Sequence, residues 1–115
     1  MVEISVEEFE ELVGDALDQI PEELATLVDN AVVLVEAEPP DGEDLLGLYD
    51  GTPLTERDSW YTFREPDRIF IYRGPLTRMC HDRGELVDEV TITVVHEIAH
   101  HFGIDDEKLH ELGWG

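Results

Sequence analysis

The sequence predicts an α+β domain in which a small mixed sheet is packed with helices. Helical apolar patterns stand near both ends of the chain, and three short strand-like runs lie between them, separated by Pro and Gly turns. The 115 residues suffice for one modest core, so we predict a single domain over residues 1–115. A hydrophobic fraction of 42 % indicates a folded chain rather than a disordered one.

The N-terminal part is predicted to form two helices. Ser5 precedes the first, over residues 6–19, and Glu8 follows three positions later, which is the capping-box pattern. Apolar residues then recur at helical spacing. Pro21 and the two glutamates after it predict a shorter helix to about Val28, because proline and acids both suit a first helical turn.

Three strands are predicted in the middle of the chain. Ala31–Glu36 is a β-branched run between turn residues and should form a buried strand. Leu45–Tyr49 and Arg68–Arg73 are the second and third strands. The polar segment 52–67, broken by two prolines, is expected to be a surface loop.

Helical structure returns in the C-terminal third. Leu76–His81 is predicted as a short helix and residues 85–102 as a long one. Residues 92–102 are apolar on nearly every face, which indicates burial. Asp105 is in position to cap a last short helix from Asp106 to Leu112.

The long helix carries a metal-binding pattern. His96, Glu97 and His100 follow the order His-Glu-x-x-His, and residues four apart share one helix face, so both imidazoles point at one ion. Gly103 suits the left-handed conformation that ends a helix, and that reversal brings Asp106 back as an anionic third ligand. Three protein ligands leave a fourth zinc position open for water, as catalytic sites require.

Some alternatives at this helix stay open. Histidines of a core helix can be hydrogen-bonded without any metal, and Asp105 competes with Asp106 as the anionic ligand. His101 points about 100° away from His100. It either touches the carboxylate of Glu97 from outside the ligand set or is a surface or packed histidine.

The segment HEIAHHFGIDD, from His96 to Asp106, resembles the zinc site of the zincin metallopeptidases in its extended, metzincin-like form. The chain is also similar in size to the minimal zincin-like metalloproteases of bacteria. The resemblance implies Zn²⁺ held by His96, His100 and Asp106, with Glu97 as the general base. It also implies a zincin-like domain with a truncated C-terminal subdomain, because nine residues follow Asp106 and none is the methionine of the metzincin turn.

The resemblance also implies where a substrate binds. In zincins the metal helix lies against a sheet, and the edge strand at the cleft pairs with an extended peptide. By that resemblance Arg68–Arg73 is the expected substrate strand, with an ordinary sheet edge as the alternative. The short chain beyond Asp106 leaves an open site that suits short peptides or a partner chain that completes the cleft.

Composition limits the partners and the compartment. Lys and Arg total 7 against 29 Asp and Glu, and the formal charge of −22 repels nucleic acids and anionic membranes. Metal-dependent RNA cleavage is therefore disfavoured. Cys80, the single cysteine, is expected to be a buried structural thiol. The lack of a signal-peptide pattern or an apolar membrane span predicts a cytoplasmic location.

Two functions are compatible with the sequence. The first is a zinc-dependent metallopeptidase that acts on peptide or protein substrates. The second is a zinc-binding interaction module with an inactive site, whose acidic surface recruits a basic partner.

Overall fold

The computed structural model describes residues 2–20, 31–51, 66–104, 107 and 111. Within these residues the chain forms three α-helices, three strands and one 3-10 turn at Pro40–Gly42. The helices are α1 (Val6–Asp18), α2 (Arg73–Met79) and α3 (Arg83–His101), and the strands are β1 (Ala31–Glu36), β2 (Gly47–Asp50) and β3 (Asp67–Tyr72). The predicted α+β class with a small mixed sheet is confirmed.

Some predictions fall outside the described residues. They are the helix from Pro21 to Val28, residues 52–65 of the loop and the terminal helix from Asp106 to Leu112, of which only Glu107 and Glu111 are described, both as helical. These remain predictions, as does the assignment of residues 1–115 to a single domain.

Helix α1 begins where the capping box predicts. The Ser5 hydroxyl accepts a hydrogen bond from the Glu8 N–H at 3.1 Å and donates one to the Glu8 carboxylate. The inner face of the helix places Phe9, Val13 and Ala16 in the core.

The strand order is β1–β3–β2, so β3 is the central strand of the described sheet. β1 runs parallel to β3, and β2 runs antiparallel on the other side, with Tyr49 opposite Ile69. The prediction that Arg68–Arg73 is an edge strand is therefore wrong. A strand-like run shows that a strand forms there, but it does not show which strands pair with it.

The prediction that β1 is a buried strand is also wrong. Its side chains alternate between half-buried and exposed, and Val32 and Leu34 are 42 % and 38 % exposed. β-branched residues favour an extended, pleated backbone whether one face or both are covered. The apolar run therefore predicted the position of the strand correctly, but the burial predicted from it was too high.

Helix α2 begins three residues before its predicted start at Leu76. Gly74 and Pro75 look like a strand terminator in the sequence. They instead occupy the first turn of α2. The N–H groups of a first turn have no acceptor within the helix, so a proline there loses no helical hydrogen bond.

Helix α3 packs along α1 and across β2 and β3. Its N-terminus is capped by Asp82, whose carboxylate accepts from the Glu85 N–H at 2.8 Å. One face is buried, including Leu86, Val90, Val94 and Ile98, whereas Ile92 is 44 % exposed. The expectation of burial on nearly every face therefore holds for one side of the helix only.

Two expectations from composition can be checked. Cys80 is fully buried, as predicted for a structural thiol, and this burial raises the pKa of the thiol, with Glu85 and Glu89 adding to the effect. Among the residues that the structure describes, no helix is both long enough and apolar enough to cross a membrane.

Candidate metal centre

His96 and His100 stand side by side near the C-terminal end of α3. Their ring centroids are 5.0 Å apart and their planes are inclined at 78°. Both residues are partly exposed, and the exposed Ile92 lies one turn before His96 on the same side of the helix. The two imidazoles therefore lie on one helix face, as the four-residue spacing predicts, but that face is partly exposed and not buried as expected.

Glu97 lies between the imidazole pair and the edge strand β2. One carboxylate oxygen is 3.1 Å from Nδ1 of His100, and the residue is only 7 % exposed. A Cβ atom placed on Gly47 would lie 3.2 Å from Cγ of Glu97 and 2.8 Å from Cγ2 of Thr93. A glycine therefore lets the backbone of β2 approach α3 at the residue predicted to be catalytic.

Tyr72, at the end of β3, lies among acidic side chains. Burial raises the pKa of Tyr72, and the carboxylates of Glu43, Glu36 and Glu97 raise it further. These carboxylates, Glu97 among them, therefore create a negative potential at the Tyr72 hydroxyl.

The helix ends just before Gly103, which has the predicted left-handed conformation. The φ of Gly103 is 83°, its N–H donates to the carbonyl of His100, and the N–H of Ile104 donates to the carbonyl of Ala99, both at 2.9 Å. This pair of bonds is a Schellman motif. The chain therefore turns directly after the two histidines.

The third ligand itself is not among the described residues. Asp106 and its alternative Asp105 both lie outside them, and within them no group of three His, Cys, Asp or Glu side chains is placed to hold a metal ion. His96 and His100 are of the residue type that zinc prefers, and they share a face that solvent reaches. The described half of the site therefore suits zinc, and the full ligand set remains a prediction.

A buried polar cluster that no sequence pattern predicted lies beside the histidine pair. His101 is fully buried and Asp67 is 2 % exposed. Nδ1 of His101 is 2.9 Å from Oδ2 of Asp67, and the Tyr49 hydroxyl donates to the same oxygen at 2.5 Å. Of the placements left open for His101, the structure therefore favours a packed histidine, with Asp67 as its partner.

The sequence carries little signal for Asp67. It follows Pro66 at the end of a polar stretch, where an acidic residue is typical of a loop, and it lies 34 positions from His101. The one available hint is that His101 continues the buried face of a helix and so needs a polar partner.

Comparisons with known proteins agree with this architecture. The family model described as zincin-like metallopeptidase matches residues 22–114. A solved structure of a conserved hypothetical protein from Thermus thermophilus is 25 % identical, with a TM-score of 0.57, and the match covers 95 % of this chain and 97 % of that chain. No curated protein matches the chain.

Proposed function

Because the chain belongs to the zincin-like metallopeptidase family, we propose that it is a zinc-dependent peptidase in which Glu97 acts as the general base. The observation that carries the proposal is the arrangement on α3. Two neighbouring imidazoles, from His96 and His100, share an accessible face, and the Glu97 carboxylate lies 3.1 Å from one of them. A base beside a metal-binding pair is the arrangement that metal-assisted hydrolysis needs.

The proposed ligands are His96, His100 and Asp106, in the metzincin-like order His-Glu-x-x-His-x-x-Gly-x-x-Asp. These residues would hold a zinc ion, which would supply a bound water of lowered pKa, about 7, and would polarise the carbonyl of the scissile bond. The turn at Gly103 supports the assignment of Asp106, because it reverses the chain immediately beyond the histidines.

Glu97 has the proton-transfer role in this proposal. Its carboxylate takes a proton from the attacking water and passes it to the leaving amine. The contact with His100 and the packing against Gly47 restrict where that carboxylate can stand. A base held in place loses less entropy when it meets the substrate.

We assign the substrate strand to β2 in place of β3. β3 has a neighbour on each side, whereas β2 forms an edge of the described sheet and touches α3 at Gly47. An extended peptide that pairs with β2 would run past Glu97 and gain main-chain hydrogen bonds. The scissile bond would then lie near the Gly47 end of the strand.

The proposed substrates are short, extended peptides or exposed segments of proteins. A charge of −22 favours basic peptides over acidic ones and disfavours nucleic acids and anionic membranes. A partner chain that completes the cleft would extend the range to longer substrates.

A digest of a mixed peptide library tests the proposal. We expect cleavage by the zinc-loaded protein, none after chelation, and a rate lower by about 100- to 10,000-fold for Glu97→Gln with zinc still bound. Asp88→Asn, which changes an exposed acid of the same helix, is the matched control and should cleave normally.

Two outcomes contradict the proposal in different ways. Undiminished cleavage by Glu97→Gln removes that residue from the mechanism. A wild-type protein that binds zinc and cleaves nothing in the library favours the alternative, a zinc-binding module with an inactive site. That alternative is then tested by the binding of basic peptides, which salt should weaken.

A further inference from the structure

The polar cluster beside the metal centre joins three elements through one carboxylate. Oδ2 of Asp67, at the start of β3, contacts both the Tyr49 hydroxyl on β2 and Nδ1 of His101 on α3. Gly51 closes the cluster, because a Cβ there would lie 2.3 Å from both Cγ and Oδ1 of Asp67. We call these four residues, Tyr49, Gly51, Asp67 and His101, the Asp67 cluster.

Filling this part of the core with polar side chains is energetically unfavourable. His101 lies two turns beyond Val94 on the buried side of α3, a position where an apolar residue would continue the core. Burying a carboxylate and an imidazole carries a desolvation penalty, and apolar replacements of similar volume are often as stable or more so. The hydrogen-bonded pair fixes the orientation of its two side chains, which apolar contacts would not do.

The position of the Asp67 cluster indicates that it orients the last turn of α3. His101 is the last residue of α3, adjacent to His100 and two residues before the turn at Gly103. Anchoring its ring therefore fixes the helical turn that carries His100. It also restrains the turn at Gly103 and Ile104 that ends the helix.

The cluster also adds a second contact between α3 and β2. The first is at Gly47, which packs against Thr93 and Glu97. The second is at Tyr49, through the carboxylate of Asp67 to His101. Two contacts along β2 define both the distance and the angle between that strand and the histidine pair.

We propose that Asp67 is a positioning residue for the metal centre, which holds the last turn of α3 in register with the edge strand β2 through His101. The proposal rests on the proposed function, in which α3 carries the zinc ligands. Asp67 itself has no part in the chemistry. Residues that orient a metal site from outside its ligand set are worth about 10- to 100-fold in metal affinity.

Two variants and one control test this role. Asp67→Asn keeps the shape and removes the charge that strengthens both hydrogen bonds. Tyr49→Phe removes one hydroxyl and is the milder change if Asp67→Asn folds poorly. Asp50→Asn is the control, because the exposed Asp50–Arg68 pair, with a contact of 2.5 Å, joins the same two strands without reaching α3.

The first readout is amide hydrogen exchange in the zinc-free protein. We expect the amides of Gly103 and Ile104, which close the Schellman motif, to exchange about tenfold faster in Asp67→Asn, relative to the Val90 and Val94 amides in the middle of the helix. Tyr49→Phe should give a smaller change in the same direction, and the control should give none.

The second readout is the dissociation constant of zinc, measured by competition with a chelator on fully folded protein. We expect an increase of about tenfold for Asp67→Asn and no change for the control. Equal acceleration of all four amides with unchanged zinc affinity would show a purely structural role and overturn the proposal. Unchanged exchange at Gly103 and Ile104 overturns it as well.

Failure of the inference is distinguishable from failure of the proposed function. Hydrogen exchange is read without zinc, and affinity is read without substrate. A wild-type protein that binds zinc but cleaves no peptide therefore contradicts the peptidase proposal. The positioning role of Asp67 is then still decided by the hydrogen-exchange and zinc-affinity measurements. A wild-type protein that binds no zinc overturns both.

Discussion

The last two turns of α3 carry histidines on two sides of the helix, and the two sides have opposite surroundings. On one side His96 and His100 are partly exposed and lie beside Glu97. On the other His101 is fully buried against Asp67. Adjacent residues differ by about 100° around the helix, so a single step along the chain separates the two environments. Accessibility, rather than residue type, decides which imidazole is available to a metal.

Replacing His100 should give the largest effect on zinc. We expect His100→Asn to weaken zinc binding by more than about 100-fold, since disturbing the surroundings of a ligand already costs about 10- to 100-fold. The free energy of unfolding without zinc should fall by only about 1 kcal/mol, for the lost bond to Glu97. Chelator competition and urea denaturation measure the two quantities. A variant that keeps its zinc affinity would remove His100 from the ligand set.

Replacing the neighbouring His101 should give the opposite pattern. His101→Phe fills a similar volume but leaves the buried Asp67 carboxylate without its imidazole partner. We expect the free energy of unfolding without zinc to fall by about 3 kcal/mol, which is typical when one partner of a buried pair is removed. Zinc affinity should fall by less than in His100→Asn. An unchanged or raised urea midpoint would contradict the account of the buried side.

A smaller effect is expected from crowding the Asp67 cluster. Gly51→Ala places a Cβ 2.3 Å from the Asp67 side chain, which has to move, and overpacking of this kind costs about 1–3 kcal/mol. The matched control is Gly14→Ala in α1, where nothing lies within 4 Å and alanine should stabilise the helix by about 0.5–1 kcal/mol. The same substitution should therefore shift the thermal midpoint in opposite directions at the two sites.

The smallest effect concerns an exposed ion pair remote from the metal centre. A hydrogen bond from Arg83 lowers the pKa of Glu8, and Ser5 adds to this. A lowered pKa stabilises the fold above the ordinary glutamate value of about 4.3, and the contribution is lost as pH falls through the folded value. The urea midpoints of wild type and Glu8→Gln should differ slightly at pH 7 and converge in acid. A gap that widens in acid would contradict this sign.

The parts of the fold that local sequence decides were predictable. The Ser5 cap, the limits of β1 at Ala31 and Glu36, and the turn at Gly103 each depend on residues within a few positions of one another. The His-Glu-x-x-His spacing likewise placed two imidazoles on one face, because helix geometry alone sets that relation.

The parts that depend on distant residues were not predictable. The central position of β3 follows from its pairing with both β1 and β2, which no single run of residues encodes. The bond between Asp67 and His101 spans 34 positions, which include β3, α2 and α3. A single sequence, taken alone, gives no way to pair one acid among 29 with that histidine.

The central claim is that the exposed side of α3 holds a zinc ion between His96 and His100, beside Glu97. The most direct measurement is anomalous scattering at the zinc edge from crystals of the zinc-loaded protein. The account predicts one strong peak about 2.0–2.1 Å from a nitrogen of each of these two rings, with a carboxylate from beyond Gly103 as a third ligand. A peak confined to other acidic residues, or side chains of His96 and His100 that bind no common ion, would contradict it.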